Sequence, residues 1–137
     1  MLQGKVGIIT GAGGGIGRAI AEAIAALGAA VVVNDIGAAL DGSTTAARPA
    51  DAVVAAITAA GGRAVADHGS VTDFEACEAM VQRAIGSFGG LDFVVHNAGI
   101  LRDRMFHKLS VDDFDAVLAV HVGGGFRICR AAAPHFR

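Results

Sequence analysis

Five glycines fall within seven residues, Gly11, Gly13, Gly14, Gly15 and Gly17, directly after the strand-like run Val6-Gly7-Ile8-Ile9-Thr10. An Ala/Ile-rich helical pattern begins at once, so the segment reads as a strand, a tight turn and a helix start. Such a turn suits phosphate. The first N–H groups of a helix have no intrahelical partner and lie at the positive end of its dipole, and glycine lets an anion come close to them. The spacing is Gly11-x-x-x-Gly15-x-Gly17; the commoner G-x-G-x-x-G would need glycine at Ile16 or Arg18. A P-loop is excluded because no Gly-Lys-Ser/Thr follows. The competing reading is a glycine-rich connection that holds no ligand.

Asp35 is the second chemical feature, at the tip of the next apolar run. In dinucleotide folds a carboxylate about 20 residues past the glycine loop accepts hydrogen bonds from the adenosine ribose hydroxyls. Its charge would repel a 2′-phosphate, which favours NAD over NADP. The alternative is that Asp35 only caps a turn. Other chemistry is sparse. Cys77 and Cys129 are the only cysteines, and Cys77 falls on an apolar helical stripe that suits packing better than nucleophilic attack. His68, His107 and His135 have no companions at metal-binding spacing, so no metal site is expected.

These residues need a scaffold of alternating strands and helices. Lys5 to Thr10 reads as a strand buried on both faces. Ile16, Ile20, Ile24 and Leu27 repeat at helical spacing up to Gly28. Ala29 to Val33 forms the second strand, and residues 36–50 make an unusually long connection, rich in small residues and polar at its centre. Val53, Ile57 and Ala60 mark a helix stopped by Gly61-Gly62, followed by a third strand at Arg63 to Asp67. Thr72-x-x-Glu75 has the form of a capping box, opening a helix with Phe74, Cys77, Val81, Ala84, Ile85 and Phe88 on one stripe. Leu91 to Val95 is the fourth strand. Ser110-x-x-Asp113 opens the last helix, with Phe114, Val117, Leu118 and His121 on one face. Gly123-Gly124-Gly125 weakens that helix by roughly 1 kcal/mol per residue against alanine, so close packing or a bend must override the propensity. The pattern predicts an α/β fold: a Rossmann-type parallel sheet of about four strands in the order 3-2-1-4, with helices on both faces.

The chain has 137 residues, enough for one domain, and 53% are hydrophobic, which supplies a substantial core. With 11 basic against 13 acidic residues there is no basic run to suit nucleic acid. No stretch resembles a signal peptide, and the apolar runs are broken by glycine or charge, so neither a membrane partner nor a spanning segment is expected. Only two cysteines, without metal-binding spacing, make a reduced, cytoplasmic setting the default expectation. Tryptophan and tyrosine are absent.

Thr10-Gly11-x-x-x-Gly15-Ile16-Gly17 resembles the cofactor loop of the short-chain dehydrogenases/reductases, nicotinamide-dependent oxidoreductases. His96-Asn97-Ala98-Gly99 is similar to that family's Asn-Asn-Ala-Gly and departs only at His96. The Val32-Val33-Asn34-Asp35-Ile36-Gly37 start followed by the long connection and Ile100-Leu101-Arg102-Asp103-Arg104-Met105-Phe106 resemble one branch, the 3-hydroxyacyl-CoA dehydrogenase units of peroxisomal multifunctional enzymes and their bacterial relatives. The resemblance implies a cofactor site at Gly11, Gly13, Gly15, Ile16, Gly17, Asp35, Ser70, Val71, Asn97, Ala98 and Gly99. Ser70 and Val71 stand where the family lines the adenine, without its usual aspartate. His121 stands where the family places the asparagine of its catalytic tetrad. His96 is expected to be held by a backbone carbonyl at the strand end.

By the same resemblance, residues 1–137 are the N-terminal part of a single NAD-binding domain, and the catalytic serine and Tyr-x-x-x-Lys that follow in the family are missing. The implied function is the cofactor-binding portion of an NAD-dependent oxidoreductase that interconverts a hydroxyl and a keto group by hydride transfer, on a small-molecule substrate such as a 3-hydroxyacyl-CoA. The chain taken alone is expected to be inert. A non-catalytic module that binds NAD or a partner chain is the alternative. An unpaired fourth strand and an apolar final helix imply a homo-oligomer.

Overall fold

The computed structural model describes residues 1–39, 43 and 48–136. Four strands, β1 (Val6–Thr10), β2 (Ala30–Asn34), β3 (Arg63–Asp67) and β4 (Phe93–His96), form one parallel sheet in the order β3-β2-β1-β4. Helices α1 (Gly15–Ala26), α2 (Pro49–Ala59) and α3 (Phe74–Phe88) connect them. Beyond β4 come α4 (Val111–Leu118), a π turn at Ala119–Gly123 and α5 (Gly124–Ala132). The expected sheet order and strand count both hold. The centre of the long connection, residues 40–42 and 44–47, lies outside the described residues.

Every residue of β1 and β2 is buried, as the near-continuous apolar runs require of central parallel strands. Ile8 and Val32 face Met80 and Val81 of α3 and Ile128 of α5. Ile9, Val31 and Val33 face Ala21 and Ala25 of α1 and Val53 and Ile57 of α2. The two hydrophobic layers thus sandwich the sheet, and the pleat sends alternate side chains to each. The half-buried β4 is one outer strand of this sheet, and β3 is the other.

Three local expectations change. Helix α1 buries Gly17, Ala21 and Ala25, while Ile16 is 74% exposed. The small residues let α1 lie close against the sheet, Ile20 and Ile24 pack half-buried at the edge of that contact, and Ile16 stands outside it. Helix α3 is capped by Asp73, whose carboxylate accepts the Glu75 amide at 3.0 Å. Thr72 instead pairs its hydroxyl with that of Ser70 at 2.7 Å. The stripe assigned to the last helix is not a core face, since Phe114 and Leu118 are 51% and 41% exposed. The helical run Val111–His135 is long and apolar enough to cross a bilayer by length and composition. Ile128, Ala131 and Ala132 on it pack into the core cluster built around α3.

Candidate functional site

The sheet register lines up the strand ends: Thr10 lies opposite Asn34 on one side and His96 on the other, and Asn34 lies opposite Asp67. A row Asp67-Asn34-Thr10-His96 therefore crosses the C-terminal edge of the sheet. Open α/β sheets bind ligands in the crevice at this edge. Here it opens into a cleft of about 760 Å³, lined on one side by the glycine loop and Asp35 and on the other by Ser70, Val71, residues 97–101 and His121. That volume suits a cofactor-sized ligand.

The glycine loop is shaped by close approaches. Gly11 has φ 64°, and a Cβ there would lie 2.7 Å from Ala98 Cα. A Cβ on Gly17 would lie 2.3 Å from the Gly11 carbonyl oxygen, so helix and loop pack backbone to backbone. Gly14 and Gly15 have nothing within 4 Å of a built Cβ and face open space. Helix α1 starts there with no side-chain cap and no acidic residue in its first turn. Its leading N–H groups and dipole thus meet the cleft with no acidic side chain from the helix's own first turn upon them.

Asp35 is joined to this loop directly. One carboxylate oxygen accepts the Gly13 amide at 2.9 Å and the other accepts the Gly37 amide at 2.8 Å. Each oxygen keeps a further lone pair, since a carboxylate oxygen offers two. The turn-cap and ribose readings of Asp35 are therefore compatible. A Cβ on Gly13 would fall 2.7 Å from that carboxylate and 2.7 Å from Pro49, which explains the glycine.

The opposite wall hangs on Thr10. Its hydroxyl oxygen accepts the amides of Asn97 and Ala98, both at 3.1 Å, and lies 3.0 Å from His96 Nδ1. Asn97 donates its side-chain amide to the Gly11 carbonyl at 3.0 Å, tying the wall back to the glycine loop. His96 Nε2 lies 3.2 Å from the carbonyl oxygens of both Val120 and His121, so the expectation of a carbonyl partner at the strand end holds. The Ala119 carbonyl receives Arg127 at 3.3 Å. Arg127 Nη1 and His96 Nε2 thus lie within hydrogen-bond distance of three successive carbonyls of the π turn.

The glycine triplet is explained by both remedies expected for it. The helix widens into a π turn at Ala119–Gly123, and it packs closely just after: Cβ atoms on Gly124 and Gly125 would lie 3.1 and 3.2 Å from the His96 ring. His121 sits against Gly99, where a Cβ would meet its Cε1 at 2.6 Å. Its Nε2 is 3.0 Å from the Ile100 carbonyl oxygen and 3.2 Å from the Ile100 amide, and can serve one of them at a time.

At the far end of the row, Asn34 is buried and donates to Asp67 at 2.8 Å and to the Gly69 carbonyl at 2.9 Å. Asp67 also accepts the Gly69 amide and pairs with Arg83 at 3.2 Å. This holds the Gly69-Ser70-Val71 step at the cleft rim. Beneath it Cys77 is fully buried, and burial pushes its thiol up to about 11, with Arg127 opposing in part, which leaves no thiolate to act as a nucleophile. Among the described residues no cluster of three or more His, Cys, Asp or Glu side chains could hold a metal ion.

All twelve residues singled out from the sequence adjoin one another in this region, and eleven line the cleft directly, with Gly17 one turn behind at the helix start. Thr10 and Asn34 were not among them. Both are polar residues closing apolar strands, a signal visible in the sequence.

The family profile described as short chain dehydrogenase matches residues 5–137. The chain is 48% identical over 135 residues to the peroxisomal multifunctional enzyme type 2 of Mus musculus, covering 98% of this chain and 18% of that protein. It superposes with TM-score 0.89 and 55% identity on a short chain dehydrogenase from Mycobacterium avium, covering 98% of this chain and 46% of the other. A short chain dehydrogenase from Burkholderia cenocepacia J2315 in complex with NADP gives TM-score 0.86 and 42% identity over 98% of this chain and 51% of that one. The chain spans about half or less of the length of these relatives.

Proposed function

The chain belongs to the short-chain dehydrogenase family, and from that premise we propose that it is the NAD-binding part of an oxidoreductase interconverting a hydroxyl and a keto group. When bound, the nicotinamide would supply hydride transfer; the chain's own residues bind and orient it. The observation that carries the reading is the contact between Asp35 and Gly13. It places a fixed negative charge beside an uncapped helix start, where the charge would accept ribose hydroxyls and repel a 2′-phosphate.

The other site residues take roles in keeping with the cleft. Gly11, Gly15, Ile16 and Gly17 shape the pyrophosphate turn, Ser70 and Val71 border the adenine, and Asn97, Ala98 and Gly99 form the floor toward the nicotinamide. His121 stands in for the tetrad asparagine. Residues 1–137 form one part of a single nucleotide-binding domain, and the residues that complete the reaction lie outside them. A sequence without tyrosine has no counterpart of the family's proton-transferring Tyr-x-x-x-Lys, so residues 1–137 by themselves turn nothing over. The likeness to a peroxisomal multifunctional enzyme supports a 3-hydroxyacyl-CoA-like substrate.

The exposed apolar side chains of the α4–α5 run, among them Phe114, Val122 and Phe126, favour a homo-oligomer. A cytoplasmic setting fits the two free cysteines. The absence of tyrosine also favours a second reading, a module that binds NAD without catalysis.

Titration with NADH and NADPH, read by coenzyme emission or calorimetry, tests the proposal. Saturable binding that favours NADH supports it. No saturable signal, or a preference for NADPH, overturns it. A turnover rate above blank with a 3-hydroxyacyl-CoA would overturn the inert reading.

A further inference from the structure

We propose that His96 is a positioning residue for the cofactor floor: held as the neutral tautomer with its proton on Nε2, it clamps Thr10 to the π turn and so sets the Asn97-Ala98-Gly99 turn. The consequence for a cofactor rests on the nucleotide reading above. The tautomer does not.

A threonine hydroxyl has one proton to give and two lone pairs. Both lone pairs of Thr10 are engaged by the amides of Asn97 and Ala98, at 3.1 Å each. The remaining proton is directed to His96 Nδ1 at 3.0 Å, so Nδ1 must accept. The ring proton then belongs on Nε2, where it meets the carbonyl oxygens of Val120 and His121 at 3.2 Å, groups that can only accept. The donor on one side and the acceptors on the other select the same form of the ring. The opposite tautomer would set N–H against a hydroxyl with no free lone pair and a lone pair against two carbonyls.

Ring size gives an independent argument. Side chains at Gly124 and Gly125 would press on the imidazole, at 3.1 Å from Cε1 and 3.2 Å from Cδ2. A Cβ on Gly125 would thus meet the imidazole alone, one on Gly124 would meet it together with Val71 Cγ2 at 2.7 Å, and the π turn brings its carbonyls to Nε2. One side chain joins β1, β4 and the last helix beneath residues 97–99.

The test is a long-range proton–nitrogen NMR spectrum of the protein labelled with ¹⁵N-histidine, with the His96 signals identified by their loss in His96→Asn. A protonated Nε2 and an unprotonated Nδ1 at neutral pH are expected. A proton on Nδ1, or an even mixture of tautomers, overturns the inference whatever the protein binds. NADH affinity gives the second readout. His96→Phe, a flat ring with neither donor nor acceptor, should bind about tenfold more weakly, the scale of one or two lost hydrogen bonds. His96→Asn, which keeps one of each, should recover most of that loss. Equal affinity in wild type and His96→Phe overturns the positioning role, and so does a wild-type chain with no saturable NADH signal, which also removes the nucleotide reading. If His96→Phe does not fold, the tautomer of the wild-type ring and the affinity of His96→Asn decide.

Discussion

The carboxylate of Asp35 accepts the Gly13 amide at 2.9 Å, so the charge at the end of β2 and the turn after β1 form one structural unit. A second bond, from the Gly37 amide at 2.8 Å, holds the same carboxylate from the other side. Asp35→Asn keeps the shape but offers a single oxygen for two amides. NADH affinity should fall about tenfold, since hydrogen bonds to charged groups are worth about 1.5–3 kcal/mol. NADPH affinity should fall less or rise, because the repulsion of a 2′-phosphate is gone. Parallel titrations with both coenzymes check this, and an unchanged ratio of the two affinities would exclude Asp35 as the selector.

Cys77 and Cys129 should differ sharply toward thiol reagents. Cys77 is fully buried with its thiol pushed up to about 11 by burial, whereas Cys129 is exposed. At pH 8 the native protein should consume one equivalent of a disulfide reagent quickly and the second only on unfolding. Two equivalents reacting at the same rate in the native state would show that the α3 core opens readily.

Two carboxylates tie loops to the frame and lie below their ordinary range. Asp92 is lowered first by the side chain of Lys5 and then by the Val6 amide, linking the approach to β4 with the start of β1. Asp113 is lowered by the Ser110 hydroxyl and then by Arg102. A carboxylate depressed in the folded state adds stability above its unfolded pKa and loses it as pH falls through the folded value. Melting temperature should therefore drop below about pH 4, the ordinary carboxylate range. Asp92→Asn should flatten part of that acid limb at a neutral-pH cost under about 1 kcal/mol, because the pair is exposed. An acid limb identical to wild type would remove Asp92 from the account.

What the sequence made legible follows from the range of each interaction. β1 and β2 were readable because burial on both faces demands unbroken apolar runs, and the glycine loop because its shape rests on local backbone. Helix α1 was placed correctly but only part of its contact face was legible: apolar periodicity picks out Ile20 and Ile24, which pack at the edge of the core, and Ile16, which does not, while close approach to the sheet selects Gly17, Ala21 and Ala25. At Thr72-x-x-Glu75 two neighbouring residues can cap, and Asp73 has the geometry. The role of Gly123-Gly124-Gly125 could not be read locally at all. It depends on an imidazole 28 and 29 residues earlier and on Val71, and only the packing of α5 against β4 and the step after β3 brings them to Gly124 and Gly125.

His121 and Gly99 extend that pairing and allow it to be measured. Gly99 is not among the glycines with positive φ, so its lack of a side chain is a matter of space alone. A Cβ there would lie 2.6 Å from Cε1 of His121 and 2.9 Å from its Nε2. The ring cannot withdraw freely, because Nε2 is held at Ile100. Gly99→Ala should therefore cost about 1–3 kcal/mol of stability, the usual penalty for overpacking. In a His121→Ala background the added methyl meets no ring, and the same substitution should cost much less. A double-mutant cycle by denaturant unfolding gives the coupling directly. Coupling near zero would mean that the ring swings away from Gly99 in solution, and that His121 is not fixed against the cleft wall.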